Sequence, residues 1–233
     1  MAEIFASIYN GEKPELGIDK WIDYLDVYER HLSHLRDRPI RMLEIGVQGG
    51  GSNHMWREYF HPDSQIFGID IDPEAAGHVA PGVKFFLGDQ ADPAFLQRVA
   101  AEIQPLDVVV EDGGHTMNQM IQTFESLYAG MAPNGVFIVE DTHTCVWGDA
   151  AHHDRRDGKT FLDLAFQHCK ELMDWTGDLQ NFAILRTERY KELEAKASEF
   201  CRSTLALHFY DSMVVYERGR RLPPRCAHRQ GQV

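Results

Sequence analysis

Basic residues are scarce in this sequence: 23 Lys and Arg stand against 36 Asp and Glu, for a net charge of −13. Nucleic-acid binding normally wants a basic face, so no nucleic-acid partner is expected, and an acidic membrane surface fits as poorly. Cysteine is sparse as well. Cys145, Cys169, Cys201 and Cys226 show no C-x-x-C spacing, the pattern of reduced, partly buried thiols in a cytosolic protein. No apolar run approaches the roughly 18 residues that a membrane helix needs. The start, Met1-Ala2-Glu3-Ile4-Phe5-Ala6-Ser7, has neither a basic n-region nor a long apolar core, so no signal peptide and a cytoplasmic location are expected. Internal repeats and low-complexity segments are also missing.

What is present is an ordinary globular composition, 43% hydrophobic and 25% charged over 233 residues, enough for one α/β domain with short additions. Residues 1–18 read as a loop or lid and 219–233 as a basic, mobile tail around a domain over 19–218. A helix is expected over about 20–36, capped by Asp19, with Trp21, Leu25, Tyr28, Leu32 and Leu35 on one face. Short apolar runs then alternate with helical periodicity: strands at 40–45, 65–69, 83–87, 106–111 and 135–140, and helices at 52–60, 93–104 and 116–131. Asp92 followed by Pro93 is an N-cap with proline at the first helical position. Residues 142–158 read as a long loop, followed by a helix at 159–174, a strand at 181–186, a helix at 187–201 and a hairpin of strands at 204–209 and 212–217. This alternation implies a Rossmann-like, doubly wound, seven-stranded sheet, mostly parallel with an antiparallel hairpin at one edge. In such sheets ligands bind beyond the carboxyl ends of the strands.

The first strand runs into Glu44-Ile45-Gly46-Val47-Gln48-Gly49-Gly50-Gly51-Ser52. Glycines there let backbone N–H groups approach a ligand at a helix start. Gln48 breaks the G-x-G-x-x-G dinucleotide pattern, and a tight strand-to-helix turn explains the glycines equally well. Acids at the next strand ends tip the balance. Glu44 ends strand one, Asp70 ends strand two where a carboxylate can accept both ribose hydroxyls, and Asp89 with Gln90 ends strand three near an adenine. Asp72 competes with Asp70 for the ribose. Acids in this number suit a ligand with an adenosine and an ammonium but no phosphate, which is S-adenosylmethionine rather than NAD or ATP. Gly46, Gly50 and Ser52 would complete the cofactor contacts.

Three more carboxylates end strands four and five: Asp112 after Val108-Val109-Val110, and Glu140-Asp141 after Val136-Phe137-Ile138-Val139. Neighbouring strands lie about 4.8 Å apart, so these acids can converge, and they would repel unless a cation lay among them. An all-oxygen set suits Mg²⁺, Ca²⁺ or Mn²⁺ rather than zinc. His115, three residues after Asp112, is then placed to take a proton from a metal-held hydroxyl. Singly, each residue has a plain reading: Asp112 a helix cap, His115 a packing histidine, Glu140-Asp141 a solvated turn. Their joint position carries the functional one. His143, His152 and His153 lack partnered ligands, so no second, zinc site is expected from them. His143 and Trp147 are expected in a substrate pocket, and Lys20 and Tyr24, one helical turn apart, either close over the site or form a solvated helix face.

Met42-Leu43-Glu44-Ile45-Gly46-Val47, Asp112-Gly113-Gly114-His115 and Ile138-Val139-Glu140-Asp141-Thr142-His143-Thr144 resemble segments of the metal-dependent sugar O-methyltransferases of natural-product biosynthesis, of the mycinamicin and tylosin macrolide type. The stretches around Lys20-Trp21-Tyr24 and His208-Phe209-Tyr210-Asp211-Ser212-Met213-Val214-Val215 resemble them too. The likeness spans roughly residues 15–218. It departs at Glu111 and at Gly113-Gly114, where such enzymes often carry Asp-Gly-Ser, and no counterpart is expected of the large amino-terminal domain some of them have. It implies S-adenosylmethionine and Mg²⁺ as cofactors, with Asp112, Glu140 and Asp141 holding the metal and His115 as base. It further implies a homo-oligomer acting on a deoxysugar or rhamnose-like hydroxyl of a glycosylated small molecule. A catechol-like diol would chelate the metal equally well, and a non-catalytic cofactor-binding protein would keep the same fold.

Overall fold

The computed structural model describes residues 17–185 and 187–225. Most of the expected amino-terminal lid (1–16) and the end of the tail (226–233) lie outside the described residues. Seven strands form one sheet: β1 (Arg41–Ile45), β2 (Gln65–Asp70), β3 (Lys84–Leu87), β4 (Val108–Glu111), β5 (Val136–Val139), β6 (Thr204–Tyr210) and β7 (Met213–Arg218). Their order is β3-β2-β1-β4-β5-β7-β6. The first five pair in parallel, and β7 runs antiparallel between β5 and β6. The expected doubly wound sheet with an antiparallel hairpin edge is what the chain forms.

The central strands are buried on both faces, which is why they are continuous β-branched and aromatic runs rather than alternating ones. Val109, Phe137 and Val139 pack against α3 (Pro93–Ile103), α4 (Met117–Leu127) and α5 (Phe161–Glu171). Val108, Val110, Val136 and Ile138 face α1 (Ile22–Leu32) and α2 (Gly51–Tyr59), whose Tyr28, Leu32, Met55 and Trp56 fill the other layer. Asp92 caps α3 by accepting from the Ala94 N–H, with Pro93 following. At the start of α4 the cap is Thr116, in a reciprocal box with Gln119, so Asp112 is free of the capping role open to it from sequence.

Three local expectations fail. Of the strand expected at 181–186, residues 181–184 belong instead to helix α6 (Leu179–Ile184), because the Asp178 side chain accepts from the Asn181 N–H and starts a helical turn. The helix expected over 187–201 is broken into a 3-10 stretch (Glu188–Ala195) and α7 (Glu199–Ser203), which Ser198 caps. Together these pieces enclose a small satellite core of Trp175, Leu185, Leu193, Ala197 and Cys201. At the start of α1 the N-cap position falls on Trp21, not Asp19, without a side-chain cap, and Trp21 is 45% exposed rather than inward.

The chain moves outward from β1 to β3 and then returns to place β4 on the other side of β1. This reversal opens a crevice at the carboxyl ends of β1 and β4. Close backbone approach defines it: the Asp112 N–H donates to the Ile45 carbonyl at 3.0 Å. Gly46 has φ +90°, and a Cβ there would lie 1.8 Å from the Asp112 carbonyl oxygen, so only glycine fits.

Candidate active site

A cleft of about 400 Å³ occupies this crevice. One end is lined by Gly46, Asp70, Asp89 and Gln90, and the other by Asp112, His115, Glu140 and Asp141. Lys20 and Trp21 just before α1, Tyr24 within it and His143 after β5 close its side. The acids expected from strands two to five thus share one cavity.

At the first end, Asp70 Oδ2 accepts from the Val47 and Gln48 N–H groups, both at 2.9 Å, and Oδ1 accepts from Asp72 N–H. Asp70 therefore fixes the glycine turn and lines the cleft. Asp72 is outside the lining and caps the next turn by accepting from the Glu74 N–H. Asp89 holds the Ala91 N–H at 2.8 Å. Gln90 is buried, donates to Glu111 Oε1 at 2.6 Å and accepts from the Gly114 N–H, tying the β3 end to the β4 end.

Three residues expected to touch a cofactor are placed differently. Glu44 is fully buried beneath the glycine turn, its carboxylate taken by the Trp56 indole at 2.8 Å and by Asn53. It lies on the α2 face because Leu43 and Ile45 point to the opposite core. Gly50 packs against the His78 carbonyl, where a Cβ would come within 2.0 Å, and Ser52 is buried in the first turn of α2; neither lines the cleft. These residues shape the turn from below.

At the second end the carboxylates do meet a cation, and it is Lys20. Its buried ammonium pairs with Asp112 Oδ2 and, at 2.8 Å, with Glu140 Oε2. The other Glu140 oxygen accepts from the Tyr28 hydroxyl. Burial alone would lower the Lys20 pKa, but Asp112 and Glu140 hold it well above its ordinary value. Burial raises Asp112 and Glu140, with the Lys20 charge opposing in both. Tyr24 donates to Asp141 Oδ1 at 2.7 Å. Burial, then this bond, push its phenol up, so it stays a protonated donor.

His115 stands between two of the acids, with Nε2 3.4 Å from Asp141 Oδ2 and 3.8 Å from Asp112 Oδ1. One ligating atom from each of Asp112, His115 and Asp141 lies within 4.8 Å of the others. Both His115 (φ +55°) and Asp141 (φ +53°) adopt left-handed backbone, a conformation that costs a non-glycine residue on the order of 1 kcal/mol and concentrates at functional sites. His143 stacks on Trp21 at 5.1 Å and 16° and meets Trp147 at 5.0 Å, forming an aromatic wall beside Asp141. Asp112 and Asp141 converge with His115, offering two carboxylates and one imidazole, whereas Glu140 lies outside this group and is joined to Asp112 through Lys20.

No protein-family model matches the chain. Among curated proteins it is 33% identical over 210 residues to the 8-demethyl-8-(2-methoxy-α-L-rhamnosyl)-tetracenomycin-C 3′-O-methyltransferase of Streptomyces olivaceus, covering 86% of this chain and 50% of that one. It is 32% identical over 218 residues to the mycinamicin VI 2″-O-methyltransferase of Micromonospora griseorubida, covering 89% and 50%. Over this span the chain is similar in sequence to these sugar O-methyltransferases. It spans about half the length of the curated relatives it matches. Among solved structures, the MycE methyltransferase of the mycinamycin biosynthetic pathway, in complex with Mg and SAH, superposes with a TM-score of 0.70 at 28% identity, covering 94% of this chain and 54% of that one. The same enzyme with Mg, SAH and mycinamycin VI gives 0.68.

Two residues beside this cleft were not legible as such in the sequence. Tyr28 falls on the expected apolar face, yet Lys20, Tyr24 and Tyr28 recur every four residues as a polar stripe. Glu111 stands in the sequence only as a departure from the family pattern. It is fully buried, its Oε2 has no hydrogen-bond partner among the described residues, and burial raises its pKa to about 7.

Proposed function

We propose that this chain is an S-adenosylmethionine- and Mg²⁺-dependent O-methyltransferase whose acceptor is a deoxysugar or rhamnose-like hydroxyl on a glycosylated secondary metabolite. The observation that carries the reading is one cleft with two chemistries: Asp70, Asp89 and Gln90 at one end, and Asp112, Glu140, Asp141 and His115 at the other. The rhamnosyl and macrolide acceptors named for the relatives support the substrate class. Residues 19–218 form the cofactor-dependent domain in this reading, and a cytoplasmic homo-oligomer is its expected setting. Among the described residues no helix is long and apolar enough to cross a membrane.

Asp70 would accept the ribose hydroxyls and Asp89 with Gln90 would meet the adenine. Asp112, Glu140 and Asp141 would hold Mg²⁺. Bound there, the ion supplies a Lewis acid that lowers the pKa of an acceptor hydroxyl. Lys20 already neutralises part of the acid charge, so it must yield the shared oxygens of Asp112 and Glu140 or shift along them. His115 Nε2, at the mouth of the acids, takes the hydroxyl proton as the oxygen is methylated. Asp141, 3.4 Å away, stabilises the imidazolium that results. The Trp21–His143–Trp147 wall offers aromatic faces to the apolar side of a sugar.

Titration calorimetry with S-adenosylmethionine, with and without Mg²⁺, tests the cofactor step. One-to-one binding is expected, and absence of binding would sink the assignment. Asp112→Asn should keep cofactor binding and lose Mg²⁺-dependent transfer.

A further inference from the structure

A second cluster of ligating side chains lies outside the cleft lining, where α1 crosses the β6–β7 hairpin. His31 sits in the last turn of α1, His208 in β6 and Glu217 in β7. His208 pairs in register with Val215, two residues from Glu217, so both side chains emerge on the same face of the hairpin. His31 Nδ1 is 2.8 Å from Glu217 Oε1, and His208 Nε2 is 3.4 Å from the same oxygen. The two imidazoles approach to 4.6 Å between centroids. One ligating atom from each of the three lies within 4.8 Å of the others.

We propose that His31, His208 and Glu217 bind a divalent transition-metal ion, zinc by the chemistry of the set, and that this ion clamps α1 to the β6–β7 hairpin. Two imidazoles and one carboxylate form a set that zinc occupies with water in the fourth position. Tetrahedral ligands on such an ion stand about 3.3 Å apart, and the two distances to Glu217 Oε1 bracket that value. The His208 Nε2 atom is buried and has no hydrogen-bond partner among the described residues. The Tyr210 hydroxyl is 2.8 Å from His31 Nε2, the outer contact that fixes a ligating imidazole through its second nitrogen. All three ligands stand on regular elements, so the site is built before metal arrives. The His208 and Glu217 side chains are 36% and 35% exposed, which leaves an entry path and room for the water.

The donor types separate this cluster from the cleft. Nitrogen-rich ligands select zinc, whereas the Asp112, Glu140 and Asp141 oxygens favour magnesium. None of His143, His152 and His153, the histidines that drew attention in the sequence, takes part. The clamp would bear on the cleft mechanically, because Tyr28 on α1 donates to Glu140 and Tyr24 shares its hydroxyl proton between Asp141 and the Ser212 carbonyl in the hairpin turn.

The metal-stripped full chain, held in excess Mg²⁺, is titrated with Zn²⁺ against a chromophoric chelator. One zinc per chain is expected, with unchanged affinity in Asp112→Asn. His208→Ala should weaken it by about 100-fold or more, and Tyr210→Phe by about 10–100-fold, as loss of an outer contact does. Both substituted side chains are partly exposed, and circular dichroism confirms their folding. Zinc binding that His208→Ala leaves unchanged, or that Asp112→Asn abolishes, would overturn the proposal. So would no zinc bound at all, which would leave the cluster as a hydrogen-bonded brace.

Discussion

His168 provides a quantitative test of the packing on the α5 side of the sheet. Its ring is 8% exposed, stacks on Phe200 at 4.4 Å and 20°, and lies 4.9 Å from Phe124. Its Nδ1 is 3.1 Å from the Tyr216 hydroxyl. Burial lowers its pKa from 6.5 to about 4. Between these values the unfolded chain binds a proton that the folded chain refuses. The stability from the neutral ring is therefore complete above pH 6.5 and is lost as pH falls toward 4. At 1.36 kcal/mol per pH unit, the interval corresponds to about 3 kcal/mol. His168→Phe removes this titration. At neutral pH it should cost about 1–2 kcal/mol, because the Tyr216 hydroxyl loses its partner. At pH 4 the order should reverse, with the variant the more stable by about 1–2 kcal/mol. Urea unfolding of both proteins at pH 7.5 and pH 4 isolates the effect, since all other titrating groups are shared. An equal stability difference at the two pH values would refute the reasoning.

Three further outcomes follow from the cleft. Lys20→Met leaves Asp112 and Glu140 buried without their cation and should cost the metal-free chain about 3–5 kcal/mol, read by urea unfolding in chelator. His115→Ala should reduce methyl transfer by about 10²–10⁴-fold, the usual contribution of a general base, while calorimetry shows S-adenosylmethionine binding unchanged. Asp70→Ala frees the Val47 and Gln48 N–H groups and should weaken cofactor binding by at least about tenfold in calorimetry, roughly the worth of one charge-assisted hydrogen bond.

Much of the fold was legible because its core strands carry a pattern that few structures can use. Runs such as Val108-Val109-Val110 and Val136-Phe137-Ile138-Val139, bounded by acids and turns, are buried on both faces, and the acids fall at the carboxyl ends where parallel sheets bind ligands. Asp92-Pro93 was legible for a local reason, since a capping side chain needs only its own next residues. The segment at 181–186 was not, because a short apolar run fits either period, and the deciding bond comes from Asp178 before it. Long-range partners were also invisible. Lys20 reaches Asp112 and Glu140 across 92 and 120 residues, and no spacing rule encodes such a pair. Glu44 illustrates the complementary limit: a strand-end acid serves a ligand or an adjacent helix depending on which face it takes, and Asn53 and Trp56 claimed it.

The central claim is that this cleft joins a methyl donor to a sugar hydroxyl through a carboxylate-held metal. Its most direct test is transfer of labelled methyl from S-adenosylmethionine to rhamnosylated tetracenomycin-type and mycinamicin-type acceptors, with chelator, with Mg²⁺ restored, and with Asp112→Asn. The account predicts label on a sugar hydroxyl that chelator abolishes, Mg²⁺ restores and Asp112→Asn eliminates. Transfer that is indifferent to chelator and to Asp112→Asn would contradict it.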